Sequence, residues 1–77
     1  MKLVLTRSAR LEAERAGIAT RIESVALPDE CATGDLVSLK DGTASHDFIV
    51  IRRRWIVTEE GATLELTLDH PPRPGSR

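Results

Sequence analysis

The chain contains no tyrosine, one phenylalanine, one tryptophan and one cysteine among 77 residues. With so few aromatics, a sheet surface that stacks successive bases has Trp55 alone to build on. The lone cysteine, Cys31, excludes an intrachain disulfide and a cysteine-held zinc centre. It also suits a reducing compartment, so a cytoplasmic location is expected. Long apolar runs are missing too. After its lysine the opening MKLVLTRSAR carries only LVL, far short of the roughly 20 apolar residues of a membrane span and of a secretory hydrophobic region. A soluble, unprocessed chain with no membrane partner is expected.

Charge of one sign is not in excess: the formal net charge is −1, so no whole-molecule field draws the chain to nucleic acid or membrane. Charge is instead segregated along the chain. Residues 28–47 are acidic, 48–57 carry three arginines, and 58–70 are acidic again. Neighbouring strands of opposite sign can then neutralise each other internally. No glycine-rich phosphate loop or nucleotide fingerprint occurs, and the two histidines, His46 and His70, lack ligand spacing. Neither a cofactor nor a metal is expected.

What is there in strength is a hairpin pattern from Asp47 to His70: DFIVIRRRWIV, the turn TEEGA, then TLELTLDH. Side chains alternate across a strand, so Leu64, Leu66 and Leu68 share one face. Ile49, Ile51, Trp55 and Val57 share one face of the preceding strand. A turn centred on Glu60-Gly61 sets Val57 opposite Leu64, Trp55 opposite Leu66 and Arg53 opposite Leu68, matching apolar with apolar. The other face joins Arg52 to Asp69, Arg54 to Thr67 and Ile56 to Glu65. Arg53 fits poorly on the apolar face. Either a bulge in the arginine run resets the alternation or the stem snorkels; the sharper alternative is a guanidinium facing a groove or an anion. The same parity places Trp55 in the core, the alternative being an exposed platform.

Around this hairpin, Lys2–Thr6 is a short strand, and Ser8–Ala16 is rich in helix formers, with Ser8 as N-cap and Gly17 as stop. Ala9, Leu11 and Ala13 also alternate as a strand would. Ile18–Leu27 reads as extended, with helix as the alternative, and residues 28–34 form a loop. Asp35–Lys40 is a strand joined to the hairpin by a long loop over 41–47, which sets Val37 and Leu39 opposite Ile51 and Ile49. The strand from Phe48 to Val57 is then central and covered on both sides. A flexible or polyproline-like tail is expected over 71–77, where a PxxP pattern occurs.

The expected fold is α+β, mostly β: one domain over 1–70 with a small curled, mainly antiparallel sheet of four or five strands and one short helix. The order of a GD turn, a short apolar strand and a long basic strand is similar to strands in SH3-like and PUA-like barrels, which implies a partly open barrel. It carries no family-specific residue. The expected function is non-enzymatic: a binding module whose surface is the basic central strand, with Arg52, Arg53 and Arg54 extended by Lys40, and whose partner is nucleic acid or an acidic protein. The alternative is an interaction protein that pairs its strand edges into a homodimer. An enzyme would require Cys31 or His70 to converge with a carboxylate in a pocket.

Overall fold

In the computed structural model, which describes residues Met1–Pro71, the chain begins with a strand, β1 (Lys2–Leu5), that runs directly into helix α1 (Arg7–Ala16). Most of the tail expected over 71–77 lies outside the described residues. Thr6, not Ser8, caps the helix: its backbone is extended and its hydroxyl accepts from the Ala9 N–H at 3.2 Å. That hydroxyl in turn donates to Asp69 Oδ1 at 2.6 Å, so one threonine satisfies an orphan helix donor and ties the helix start to the last strand. Gly17 ends α1 with φ 75°. Its N–H reaches the Glu14 carbonyl at 3.1 Å and that of Ile18 reaches Ala13 at 2.9 Å, a closure that a side chain at position 17 would strain.

The stretch expected to be extended instead forms a second helix, α2 (Ala19–Glu23). Ile18 and Ile22 explain why. Four residues apart, they are both fully buried, a spacing that one helix face satisfies; strand alternation would place Ile18, Thr20, Ile22 and Ser24 together on the buried face. Among the described residues no helix is long and apolar enough to cross a membrane.

Three further strands, β2 (Leu36–Asp41), β3 (Ala44–Thr58) and β4 (Gly61–Asp69), complete one four-stranded sheet in the order β1-β4-β3-β2. The sheet is mixed. β3 pairs antiparallel with both β2 and β4, whereas β1 lies parallel to β4 with Leu3 opposite Leu66 and Leu5 opposite Leu68. β1 and β2 are its two edges, and the sheet is not closed. Two of the three pairings are antiparallel, as expected, but the sheet is open and mixed: α1 and α2, between β1 and the rest, carry the chain across one face and allow a parallel pair.

Both hairpins differ from expectation in register. β2 and β3 are joined by a tight turn at Gly42-Thr43 rather than a long loop, so Val37 faces Phe48 and Leu39 faces His46. The β3–β4 turn is Glu59-Glu60, which sets Trp55 opposite Leu64, Arg53 opposite Leu66 and Arg54 opposite Glu65. This register differs by two from the expected one, so the leucines keep their face. A bulge does occur in β3, between Val50 and Arg52. It resets the alternation, so that Phe48 and Val50 share the leucine face before it and Arg53, Trp55 and Val57 after it.

The core lies between that face and the helices. Phe48, Val50, Leu64, Leu66 and Leu68 pack with Leu5, Ala9, Ala13, Ile18 and Ile22. Ala9 and Ala13 are fully buried while Leu11 is exposed; the small residues let α1 approach the sheet closely. Leu27 and Cys31, from the segment after α2, cover the rest of the core. β2 does not follow β3 beyond Ile49 and β1 does not follow β4 before Glu65, so from Trp55 opposite Leu64 to the turn β3 and β4 continue as a two-stranded ribbon.

Candidate functional site

Strand alternation separates the three arginines. Arg54, on the face away from the helices, donates to Glu65 Oε1 at 3.0 Å through Nε and approaches the same oxygen at 2.9 Å through a terminal nitrogen. The Glu65 side chain is 8% exposed, so this pair is an internal brace built on directly opposed residues of β3 and β4. Arg53 points to the other face. Its Nε donates to the Cys31 carbonyl at 3.1 Å and a terminal nitrogen to the Asp29 carbonyl at 2.8 Å, pinning the loop that follows α2. Its guanidinium also lies 5.8 Å from the centre of the Trp55 ring, within cation–π range.

Of the three, Arg52 alone makes no side-chain hydrogen bond or ion pair among the described residues. Lys40 does not join it. Lys40 stands opposite Ser45, and the rise along β3 from there to Arg52 is about 20 Å. The structure therefore does not assemble Arg52, Arg53, Arg54 and Lys40 into one basic patch.

What it assembles in their place is an open strand edge. β2 pairs with β3 only as far as Leu36 opposite Ile49, and the backbone of Gly34 and Asp35 closes on Val50 at 2.7 and 2.9 Å. From Ile51 to Thr58 the outer edge of β3 has no strand beside it. Trp55 is 48% exposed there and Val57 75%. The expected burial of Trp55 fails: it is half exposed although its cross-strand partner Leu64 is buried. Trp55 and Val57 thus stand exposed on one face along an unpaired edge, with Ile51 and Leu36 exposed near where it begins. The reversal of charge from Arg52-Arg53-Arg54 to Glu59-Glu60 along this edge was readable in the sequence; that the edge is open was not.

A second cluster lies at the other end of the sheet. Glu12 of α1 faces His46 Nδ1 and His70 Nε2, each at 3.7 Å, and accepts from Arg15. An open groove of about 580 Å³ runs past Ser8, Leu11, Glu12, Arg15, His70 and Pro71. His70 thus meets a carboxylate, a convergence that spacing along the chain did not reveal, because α1 folds back over the strand ends. Of the ring nitrogens of His70, Nδ1 donates to the Asp47 carbonyl at 2.9 Å, while Nε2 lies 3.7 Å from Glu12, beyond hydrogen-bonding distance. His46 does not line the groove, and among the described residues no three metal-ligating side chains converge on one point.

Cys31 stands apart from this cluster, against Asp35 and Arg53. Burial first, then the Asp35 carboxylate, push its thiol pKa up, which disfavours the nucleophilic thiolate. The Glu12 carboxyl is held below the usual range, chiefly by the hydrogen bond from Arg15 and further by the positive charge of Arg15, against a smaller opposing effect of burial. A carboxylate depressed in the folded state stabilises the fold above its unfolded pKa, and that stabilisation fades as pH falls through the folded value. Urea midpoints are therefore expected to drop between pH 5 and pH 3, and Glu12→Gln to flatten part of that drop. An unchanged slope in the variant would show that Glu12 carries none of it. The effect is small because Arg15 is largely exposed.

Comparison with protein-family models, with curated proteins and with solved structures finds no match, so the functional reading rests on the side chains and edges of this fold alone.

Proposed function

We propose that the chain is a non-enzymatic binding module that takes a protein strand along the outer edge of β3. One observation carries this reading: β3 outruns its β2 neighbour from Ile51 to Thr58, with an unpaired backbone edge and with Trp55 and Val57 exposed beside it. An added strand gains main-chain hydrogen bonds from such an edge and selectivity from alternate side chains. The partner strand that fits carries apolar residues opposite Trp55 and Val57 and acidic ones opposite the arginines.

Nucleic acid fits less well. Arg54 is neutralised by Glu65, Arg53 is held by loop carbonyls, and Lys40 lies far away. Glu59 and Glu60 end the same edge with negative charge that repels phosphate.

Trp55 fluorescence reports directly on this edge. A synthetic peptide of alternating valines with glutamates at one end is expected to shift its emission saturably, and Val57→Lys, which adds the charge that blocks strand addition, to abolish the shift without unfolding the protein. A pool of single-stranded RNA and DNA is expected to leave the emission unchanged. Saturable quenching by the oligonucleotides that weakens steeply with salt and needs Arg52 would overturn the reading, as would no response to the peptide or a response indifferent to Val57→Lys.

A further inference from the structure

The open edge has an unusual order of residues. From Arg52 it reads three arginines, Trp55, Ile56, Val57, Thr58 and two glutamates: basic, then apolar, then acidic. Turned end for end, the same strand presents acidic, apolar and basic residues in that order. Antiparallel pairing of two identical strands performs that turn.

We infer that the occupant of this edge is a second copy of the chain, paired antiparallel about a two-fold axis at Ile56. This deepens the docking reading above and rests on it. A two-fold axis perpendicular to the sheet keeps each face continuous, so opposed residues must share a face. Centred on Ile56, Trp55 meets the second copy's Val57 and Arg54 its Thr58, while Arg53 and Arg52 come alongside its Glu59-Glu60 turn. Every such contact occurs twice.

Neighbouring registers fit worse. Centring on Trp55 sets Arg53 against Val57 and Arg52 against Thr58, and brings the glutamate turn alongside Ile51 and Val50 rather than an arginine. Centring on Val57 sets Trp55 against Glu59, and centring on Arg54 sets that arginine against itself, which like-charge repulsion disfavours.

β2 stops pairing at Leu36 opposite Ile49, and Leu36 and Ile51, 66% and 45% exposed, stand near the end of the edge where the second copy's Glu59-Glu60 turn would lie. Two ribbons side by side then make a continuous four-stranded junction, with apolar side chains at its centre and Arg–Glu pairs at both ends. For a small domain, that added burial is a route to stability as well as to assembly.

The test exploits the symmetry. Light scattering across micromolar to millimolar concentration is expected to show the mass rising from 8.5 kDa to twice that value. Arg52→Glu alone and Glu60→Arg alone each place like charges together at both ends, and each is expected to weaken the dimer about tenfold or more. An equimolar mixture of the two variants restores opposite charges in the heterodimer and is expected to recover wild-type association. Arg52 and Glu60 are chosen because Arg53 also pins the Asp29–Cys31 loop.

Register is read by Ile56→Cys in a Cys31→Ser background. Opposed Cα atoms about 4.5–5.5 Å apart lie within disulfide reach, so mild oxidation is expected to cross-link this variant and not one with cysteine at Thr58. A wild-type chain that stays monomeric throughout overturns the inference, as does a mixture that fails to recover or a cross-link at Thr58 in preference to Ile56. If the chain is monomeric yet the valine–glutamate peptide still shifts Trp55 in a Val57-dependent way, the second copy alone is excluded and the docking edge stands. If the peptide fails as well, both readings fall.

Discussion

Replacing Phe48 by alanine is expected to be among the most destabilising truncations, removing ~3–5 kcal/mol of stability. Phe48 is the largest of the fully buried side chains and has no solvent exposure. It sits opposite Val37 on β2, with its ring 5.6 Å from that of His70 and tilted by 55°. Truncating such a residue removes its transfer free energy and leaves a cavity, typically costing ~3–5 kcal/mol. A domain of this length is held by roughly 4–12 kcal/mol in all, at ~0.05–0.15 kcal/mol per residue. The loss therefore consumes most of the margin at the lower end of that range. Ile51→Ala supplies the contrast: the side chain sits at the bulge and is 45% exposed, so its removal is expected to cost about 0.5 kcal/mol or less. Urea denaturation followed by far-ultraviolet circular dichroism measures both. Equal costs, or a larger one for Ile51, would mean that β3 runs without its bulge and presents the opposite face to the helices.

This contrast also shows where the sequence was legible. Strand content, the Gly17 stop, the apolar row Leu64, Leu66 and Leu68, and a bulge in the arginine run were all readable, because each rests on local chemistry. The face that β3 buries at its start was not. Phe48 and Val50 alternate with Ile49 and Ile51, so both faces are apolar and hydrophobicity alone does not choose between them. The bulge decides it, by letting the Phe48 side of the first half and the Trp55 side of the second half join one surface. α2 was missed for a related reason: Ile18 and Ile22 fall on one face at spacing four in a helix and also at even spacing in a strand.

Most of what distinguishes the candidate site depends on non-local register. The arginines were visible as a run, yet strand pairing alone decides that Arg54 meets Glu65, that Arg53 reaches the Asp29 and Cys31 carbonyls, and that Lys40 lies elsewhere. The open edge itself follows from a mismatch in strand length. β3 has 15 residues and β2 has 6, and a sequence that expects a long loop over 41–47 also misjudges where their pairing ends. The meeting of His46 and His70 over Glu12 was equally hidden, since it joins α1 to two strand ends.

Arg54→Ala is expected to destabilise the fold by about 1–3 kcal/mol, well above the ~0.5 kcal/mol or less of Arg52→Ala. The two arginines share a face and a strand, so composition and local propensity do not separate them. What separates them is the partner. Removing Arg54 leaves the Glu65 carboxylate, 8% exposed, without its charge-assisted bonds, and an uncompensated buried charge is costly. The usual penalty for a broken buried pair is reduced here because the Arg54 side chain is itself 48% exposed and solvent screens the loss. Replacing both partners by apolar residues of similar size, Arg54→Met with Glu65→Leu, removes the stranded charge and is expected to recover most of the stability. Chemical denaturation of the two single variants and the double variant measures each step. Should Arg54→Ala prove as mild as Arg52→Ala, the Arg54–Glu65 brace contributes nothing, two guanidinium groups stand available on one face, and the case against nucleic acid loses its main support. If the brace holds, Arg54 is committed to the fold, and Arg52 is the one arginine of the run without a partner among the described residues. One unpaired arginine suits a carboxylate on a neighbouring strand far better than a run of phosphates.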